Sequence, residues 1–354
     1  MKKKYFILSC SLLFLVLIGS SQAIAQDNIM LGISEMITLA MSNNIQLKKA
    51  NFQLENNRLE SKKLEAENLL NSSAISDLQK KIALLNQQAQ YQTEKDQLLI
   101  KIADDYFRII MLEKEIESKK KNAELEKTIL DGIEQQVAAG YRIDLDLLQQ
   151  GNIYFDAFFA YQESELKYQQ LLIEVKNRLG LNKERSITLT EMEIPELPEL
   201  PLVELLEKAR INSAPLKAHV LKIELAQREL KSAKADNLSE IEILKLENNF
   251  GIARLEKSMD EQDLDYQVES LWLNYNQAKN DMISSQRSLQ QMKENEKIIN
   301  RQVQAGLRSE EESLSASIGV VDAQYRFISS VRQGYQSYLE LQRLVGTLNE
   351  GALK

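Results

Sequence analysis

Apolar residues return in steps of seven along much of the chain. Ile102, Ile109, Ile116, Ala123, Leu130 and Val137 form one line, and Leu147, Tyr154, Tyr161, Tyr168 and Val175 form a second. A third runs through Val268, Tyr275, Met282, Leu289 and Val303, with Glu296 interrupting it. Leu98, Tyr106, Leu112 and Ile133 fill alternate positions, so the spacing alternates three and four, as in helices that pack along a narrow seam. The pattern predicts long helices. One, from about Gln97 to Ala139, would run some 60 Å at ~1.5 Å per residue, too elongated for a compact single-core domain. Because a narrow stripe buries little apolar surface, and helices draw most of their stability from packing that face, one hairpin alone is insufficient. Lateral partners are implied.

The lines belong to two copies of one unit. At an offset of 169, Ala40 answers Ala209, Asn43 answers Asn212, Leu47-Lys48 answers Leu216-Lys217, and Ala66 to Leu69 answers Ala235 to Leu238. Further on the offset is 166: Tyr106 pairs with Trp272, Ala139-Gly140 with Ala305-Gly306, Arg142 with Arg308, and Leu179-Gly180 with Val345-Gly346. Self-similarity of this kind marks a repeat architecture. The three-residue change falls between Leu69 and Tyr106. Each copy reads as a short opening helix, a long helix, a tight turn at Gly140 or Gly306, and a long returning helix. Pro195, Pro198 and Pro201 crowd into the linker between the copies. The expected organisation is a signal peptide over 1–25, a first repeat over 26–181, a Pro-rich linker over 182–201 and a second repeat over 202–354.

The amino terminus carries Lys2, Lys3 and Lys4, an apolar run from Tyr5 to Gly19, and the small-residue site Ala23-Ile24-Ala25. This predicts an exported chain cut before Gln26. A permanent anchor is the competing reading, disfavoured because the run falls short of the ~20 residues a spanning helix needs; a lipid anchor at Cys10 is another, disfavoured because Cys10 precedes most of the run. Cys10 is the only cysteine, so the mature chain has no thiol for a disulfide, a metal or nucleophilic attack. Removing residues 1–25 takes away three lysines and no acid, moving the formal charge from −8 to −11, which argues against nucleic acid as a partner. Twelve glycines and four prolines in 354 residues leave room for long uninterrupted helices.

Several words occur in order and in duplicate: Ser34 to Asn44 (SEMITLAMSNN) leading to Leu47-Lys48, then Asp105-Tyr106-Phe107, then Gln136 to Arg142 (QVAAGYR) with Leu147-Leu148, then Arg178-Leu179-Gly180-Leu181. Together they resemble the TolC family of outer-membrane efflux and secretion proteins over nearly all the mature chain. The resemblance implies an all-α protomer of two tandem coiled-coil hairpin repeats. It also implies a homotrimer forming a hollow periplasmic cylinder, capped in the outer membrane by a β-barrel to which each repeat lends two strands. The tips at Gly140, Tyr141, Arg142 and Gly306, Leu307, Arg308 would meet a periplasmic adaptor (membrane fusion protein) that joins an inner-membrane pump. Glu312, six residues past Gly306, would stand in the family's acidic ring; the second acidic position is Ser315 here.

The barrel is where the sequence departs from that pattern. Its strands belong between Leu69 and about Gln97 and between Leu238 and about Leu264. Two spanning strands require ~9 to 11 residues each of alternating character, plus a loop and interfacial aromatics. Neither window supplies them: the first turns helical after a Ser-rich break, and Leu244 to Glu247 spoils a short alternation at Ile241 to Ile243. The expectation is therefore a TolC-like helical protomer with a reduced or absent β-barrel, in the outer membrane or periplasm of a Gram-negative-type envelope. It would form an export tunnel or, alternatively, a barrel-less periplasmic coiled-coil scaffold or adaptor without channel activity.

Chemistry is sparse. Glu312 also completes a capping box with Ser309, where negative charge suits a helix start, and Asp144 and Asp146 have a similar place in the first copy. The tip glycines are equally explained by the positive φ of a tight turn. The tyrosine line at 154, 161 and 168 reads as packed seam. The sole histidine, His219, lacks the partners for a triad, a phosphate cradle or a zinc site; it reads as a surface or seam residue. No enzyme activity, cofactor or metal is expected.

Overall fold

A computed structural model describes residues 28–67, 74–182, 184–190 and 194–349. The expected signal peptide, including Cys10, lies outside the described residues. Strand β1 (Asn28–Leu31) leads into helices α1 (Ile33–Asn43), α2 (Ile45–Glu67), α3 (Ala74–Ala138) and α4 (Asp144–Leu179). Strand β2 (Ser186–Leu189) follows, then α5 (Leu202–Asn212), α6 (Ala214–Ala235), α7 (Glu240–Gln304) and α8 (Glu310–Leu344). The duplication is visible in the lengths, since α3 and α7 both have 65 residues. Because those helices already match at an offset of 166 from their first residues, the three-residue change falls ahead of Ala74, in the α2–α3 connection. Residues 68–73 lie outside the description.

The opening helix of each copy is broken in two, which the periodicity did not reveal. At Asn44 the backbone is extended, with φ −60° and ψ 121°, and its side chain both caps α2, accepting from Leu47 N at 3.0 Å, and donates to the Arg178 carbonyl at 3.1 Å. In the second copy two neighbours divide these tasks. Ser213 caps α6 through Leu216 N, while Asn212 donates to the Val345 carbonyl at 2.9 Å.

Each long helix is about 97 Å at ~1.5 Å per residue and needs two shorter helices to cover it. Toward the tips α4 lies on α3, α3 on α8, and α8 on α7; toward the opposite, distal end α2 lies on α3, α3 on α6, and α6 on α7. The molecule is thus a layer of parallel rods whose partners change at the equator. Helix α8 is covered from both sides, with Val331, Leu339 and Leu341 fully buried. The predicted seam is deepest near the equator, where Ile102, Ile109, Val175, Val268 and Tyr275 are at most 1% exposed. Tyr154, Tyr161 and Tyr168 are half-buried along α4.

Two features lay beyond the all-α expectation. β1 and β2 pair in parallel, Ile29 opposite Ile187, tying the chain's start to the linker. Residues 194–201 of the linker form a strap across the second repeat. The Trp272 indole donates to the Leu200 carbonyl at 2.8 Å and the Tyr275 hydroxyl to that of Pro198 at 2.5 Å. Leu197 is buried so closely that a Cβ added at Gly334 would come within 2.8 Å of it.

Candidate functional site: hairpin tips and outer helix faces

Both tips close in the same way. Gly140 and Gly306 have φ of +77° and +71°. Gly140 N donates to the Val137 carbonyl and Tyr141 N to that of Gln136; Gly306 and Leu307 repeat this on Val303 and Gln302. Carbonyls left over at the helix end are thereby satisfied, and the pattern demands a left-handed residue. An added Cβ would meet nothing within 4 Å at either glycine, so conformation alone selects glycine there. Tyr141 and Leu307 are 84% and 75% exposed, and Arg142 and Arg308 are exposed beside them. Large apolar side chains held in water at a rigid turn are suited to contact with another surface.

Glu312 is engaged locally. Its carboxylate accepts from Ser309 N at 3.0 Å and from Arg308 at 2.8 Å, while Ser309 Oγ accepts from Glu312 N at 3.3 Å. Arg308 also donates to Gln302 at 2.6 Å, so the α7–α8 turn is braced from both sides. The Ser309 hydroxyl, together with the Glu311 backbone N–H, holds the Glu311 carboxyl below its ordinary range. In the first copy α4 begins after Ile143 without a side-chain cap, and Asp144 and Asp146 face the helix dipole from the first turn.

At the distal end the described parts of the windows expected to hold barrel strands are nearly all helix. α3 runs unbroken from Ala74 and α7 from Glu240; among the described residues neither window contains a strand. The α6–α7 connection is a short turn, with Asn237 at φ 53° and Ser239 capping α7 through a box with Glu242. Lys234 of α6 bonds Glu247 of α7 at 2.7 Å beside this turn, and nearer the equator Arg210 of α5 bonds Asp265 of α7. His219, 8% exposed, is a seam residue here, with Nε2 2.7 Å from Asp260. Its buried Nδ1 makes no hydrogen bond and lies 4.0 Å from Glu256.

Sequence reasoning missed a second set of seven-residue lines that face outward. On α4, Leu145, Phe159, Leu166 and Ile173 are all at least 54% exposed, with Leu148 and Phe155 between them. On α2 the line is Ile45, Phe52 and Leu59; on α7 it is Ile252, Met259, Tyr266 and Leu273. The signal was present as a second period, two residues out of phase with the first, and sequence alone could not say that both faces need partners. Buried charge at the equator was missed as well. Asp105 is fully buried against Arg178 at 2.9 Å, with Lys101 and Arg108 nearby, and Asp104 pairs with Arg332 of α8 at 2.5 Å.

No described helix is long and apolar enough to cross a membrane. No protein-family model matches the chain, and no curated protein matches its sequence. Solved structures do match. The outer-membrane channel OprN superposes with a TM-score of 0.63 at 12% identity over 89% of this chain and 90% of that one. The Campylobacter jejuni CmeC outer-membrane channel gives 0.62 at 14% identity over 89% and 85%. The outer-membrane protein VceC of Vibrio cholerae gives 0.61 at 12% over 89% and 96%. These neighbours are TolC-family channels and not enzymes, and at such identity the likeness establishes that this chain has their helical fold.

Proposed function

We propose that the chain is a wall protomer of a helical tunnel in an envelope efflux or secretion system, assembled as a homotrimer in the periplasm and reaching toward the outer membrane. The outward seams carry this reading. A layer with apolar lines on both edges cannot satisfy them within one copy, and the two edges differ, so joining them is head-to-tail. Such contacts either close into a ring or run on as a filament. A ring of such layers encloses a channel, the arrangement to which this fold is suited.

In this reading the exposed tips meet a periplasmic adaptor (membrane fusion protein) of an inner-membrane pump through Gly140, Tyr141, Arg142, Gly306, Leu307 and Arg308. Glu312, repeated around the ring, draws cations to the tip opening while still capping α8. Purified mature chain examined by light scattering and electron microscopy should be a trimer with a central hole; a monomer at micromolar concentration sinks the tunnel. Glu312→Ala with unchanged ion selectivity and unchanged closure removes the carboxylate ring from the picture.

A second reading is favoured by the helix and turn in the described parts of the barrel windows. The assembly would then be a periplasmic scaffold or adaptor that conducts nothing. Fractionation separates the two: a protein wholly in the soluble periplasm, giving no conductance in a planar bilayer, supports the scaffold.

A further inference from the structure

His219, the sole histidine, is buried in the second turn of α6 and faces two carboxylates that lie one turn apart on α7. Asp260 is 2.7 Å from Nε2 and Glu256 is 4.0 Å from Nδ1. An ionised carboxylate can only accept, so Nε2 carries the proton and donates to Asp260. In the neutral ring Nδ1 is then a bare acceptor. It is buried without a hydrogen-bond partner, and ionised Glu256 beside it has no hydrogen to give. Packing alone does not call for this arrangement. The first repeat has Ala50 at the position of His219, at the offset of 169, and Gln90 and Glu94 at those of Glu256 and Asp260, at the offset of 166. Ala50 is as deeply buried as His219, so the same seam closes there without an imidazole.

We propose that His219 is a proton-operated clasp, holding α6 to α7 more tightly when its ring is charged. Protonation turns Nδ1 from an unpaired acceptor into a second donor, and a small side-chain rotation brings it onto Glu256, so that one imidazolium bridges both carboxylates. Burial opposes the charge, but both carboxylates are roughly half exposed, so the ion sits at the wet edge of the seam, where that cost is reduced. The other charges around it do not cancel the effect. On α6, Lys217 turns to the Asn212 carbonyl and Lys222 is exposed; on α7, Lys257 is engaged by Glu261. From α3 and α8, Asp96 and Arg343 line the same equatorial cavity as Asp260 and Asp263. An arm that offers the proton two carboxylates binds it more tightly than an opened arm that offers it water. Closure is therefore favoured where the imidazole is charged, and the gain fades as pH rises and the ring loses its proton. Since α6 covers α7 in the distal half, mild acid stiffens that arm of the second repeat and leaves the first unaltered. The clasp works whether or not the assembly conducts.

Amide hydrogen exchange in the mature chain tests this, with parent, His219→Gln and Glu256→Gln compared at each pH so that the chemical exchange rate cancels. Glutamine at 219 keeps a neutral donor toward Asp260 but takes up no proton. At about pH 8 the α6 amides of parent and His219→Gln should exchange at similar rates, and at about pH 5.5 those of the parent should be about tenfold slower. Glu256→Gln alters only a half-exposed side chain and decides the matter even where His219→Gln perturbs the fold. Its α6 amides should match the parent at about pH 8 and exchange about threefold faster at about pH 5.5. Helix α2, with Ala50 in the matching position, should respond to neither substitution in a pH-dependent way. Variant-to-parent ratios in α6 that are the same at both pH values, or a pH-dependent change shared equally by α2, would overturn the clasp and leave His219 a passive seam residue, with the tunnel reading untouched.

Discussion

Gly180 and Asn43 are packed backbone against side chain: a Cβ on Gly180 would come within 2.7 Å of Asn43 Cβ. The second repeat reproduces the contact between Gly346 and Asn212 at the same 2.7 Å. Both glycines also have positive φ, +65° and +68°, so each ends its returning helix and admits the break between the opening helices. Gly180→Ala or Gly346→Ala should therefore cost about 2 to 4 kcal/mol, combining the left-handed penalty with overpacking. Gly140→Ala and Gly306→Ala meet no neighbour and should cost only about 1 to 2 kcal/mol. Urea unfolding of the four variants checks this; equal losses at all four would rule out the close approach as the cause.

The Asp105–Arg178 pair holds α4 against α3 with a carboxylate that has no exposure. Removing one member leaves a buried charge, and Arg178→Met should destabilise by about 3 to 5 kcal/mol at neutral pH. A loss below about 1 kcal/mol in chemical denaturation would show that Lys101 and Arg108 suffice for Asp105.

Asp104 gives a pH dependence. Burial opposes its ionisation, but the hydrogen bonds from Arg332 and Lys101 outweigh burial and hold the carboxyl below its ordinary range. A depressed acid binds fewer protons folded than unfolded, so its contribution is present above the ordinary carboxylate range of about 4 and fades as pH falls below that. Asp104→Asn should lower the midpoint of unfolding at pH 7, and the gap from the parent should narrow on acidification toward pH 3. A gap independent of pH would contradict the linkage.

The tip and the strap make opposite predictions. Tyr141→Ala and Leu307→Ala remove exposed side chains and should leave stability within about 0.5 kcal/mol, while weakening capture of a purified adaptor at least several-fold; unaltered capture would exclude the tips from the contact.

Trp272→Phe deletes the indole hydrogen bond to Leu200. It should cost about 1 kcal/mol and speed proteolytic cleavage within the linker. An unchanged cleavage rate would mean that Tyr275 and Leu197 hold the strap without it.

The expected signal peptide, the duplication, the tip turns and the long helices follow from local order in the chain, because each depends on spacing or on a single conformational need. The inner seam was legible as a heptad, and the want of strands among the described residues of the two windows was legible as broken alternation. What the tertiary structure decided was which faces find partners inside one copy. A period of seven specifies a stripe but not its occupant, so Phe52, Met259 and Phe159 became recognisable as outward only once α3, with α6 in the distal half and α8 in the tip half, was seen to fill the middle of the layer. The same holds for Asp104, Asp105 and His219. In sequence they are ordinary polar residues on a helix, and their burial arises from helices that meet only after the chain has crossed the equator and returned.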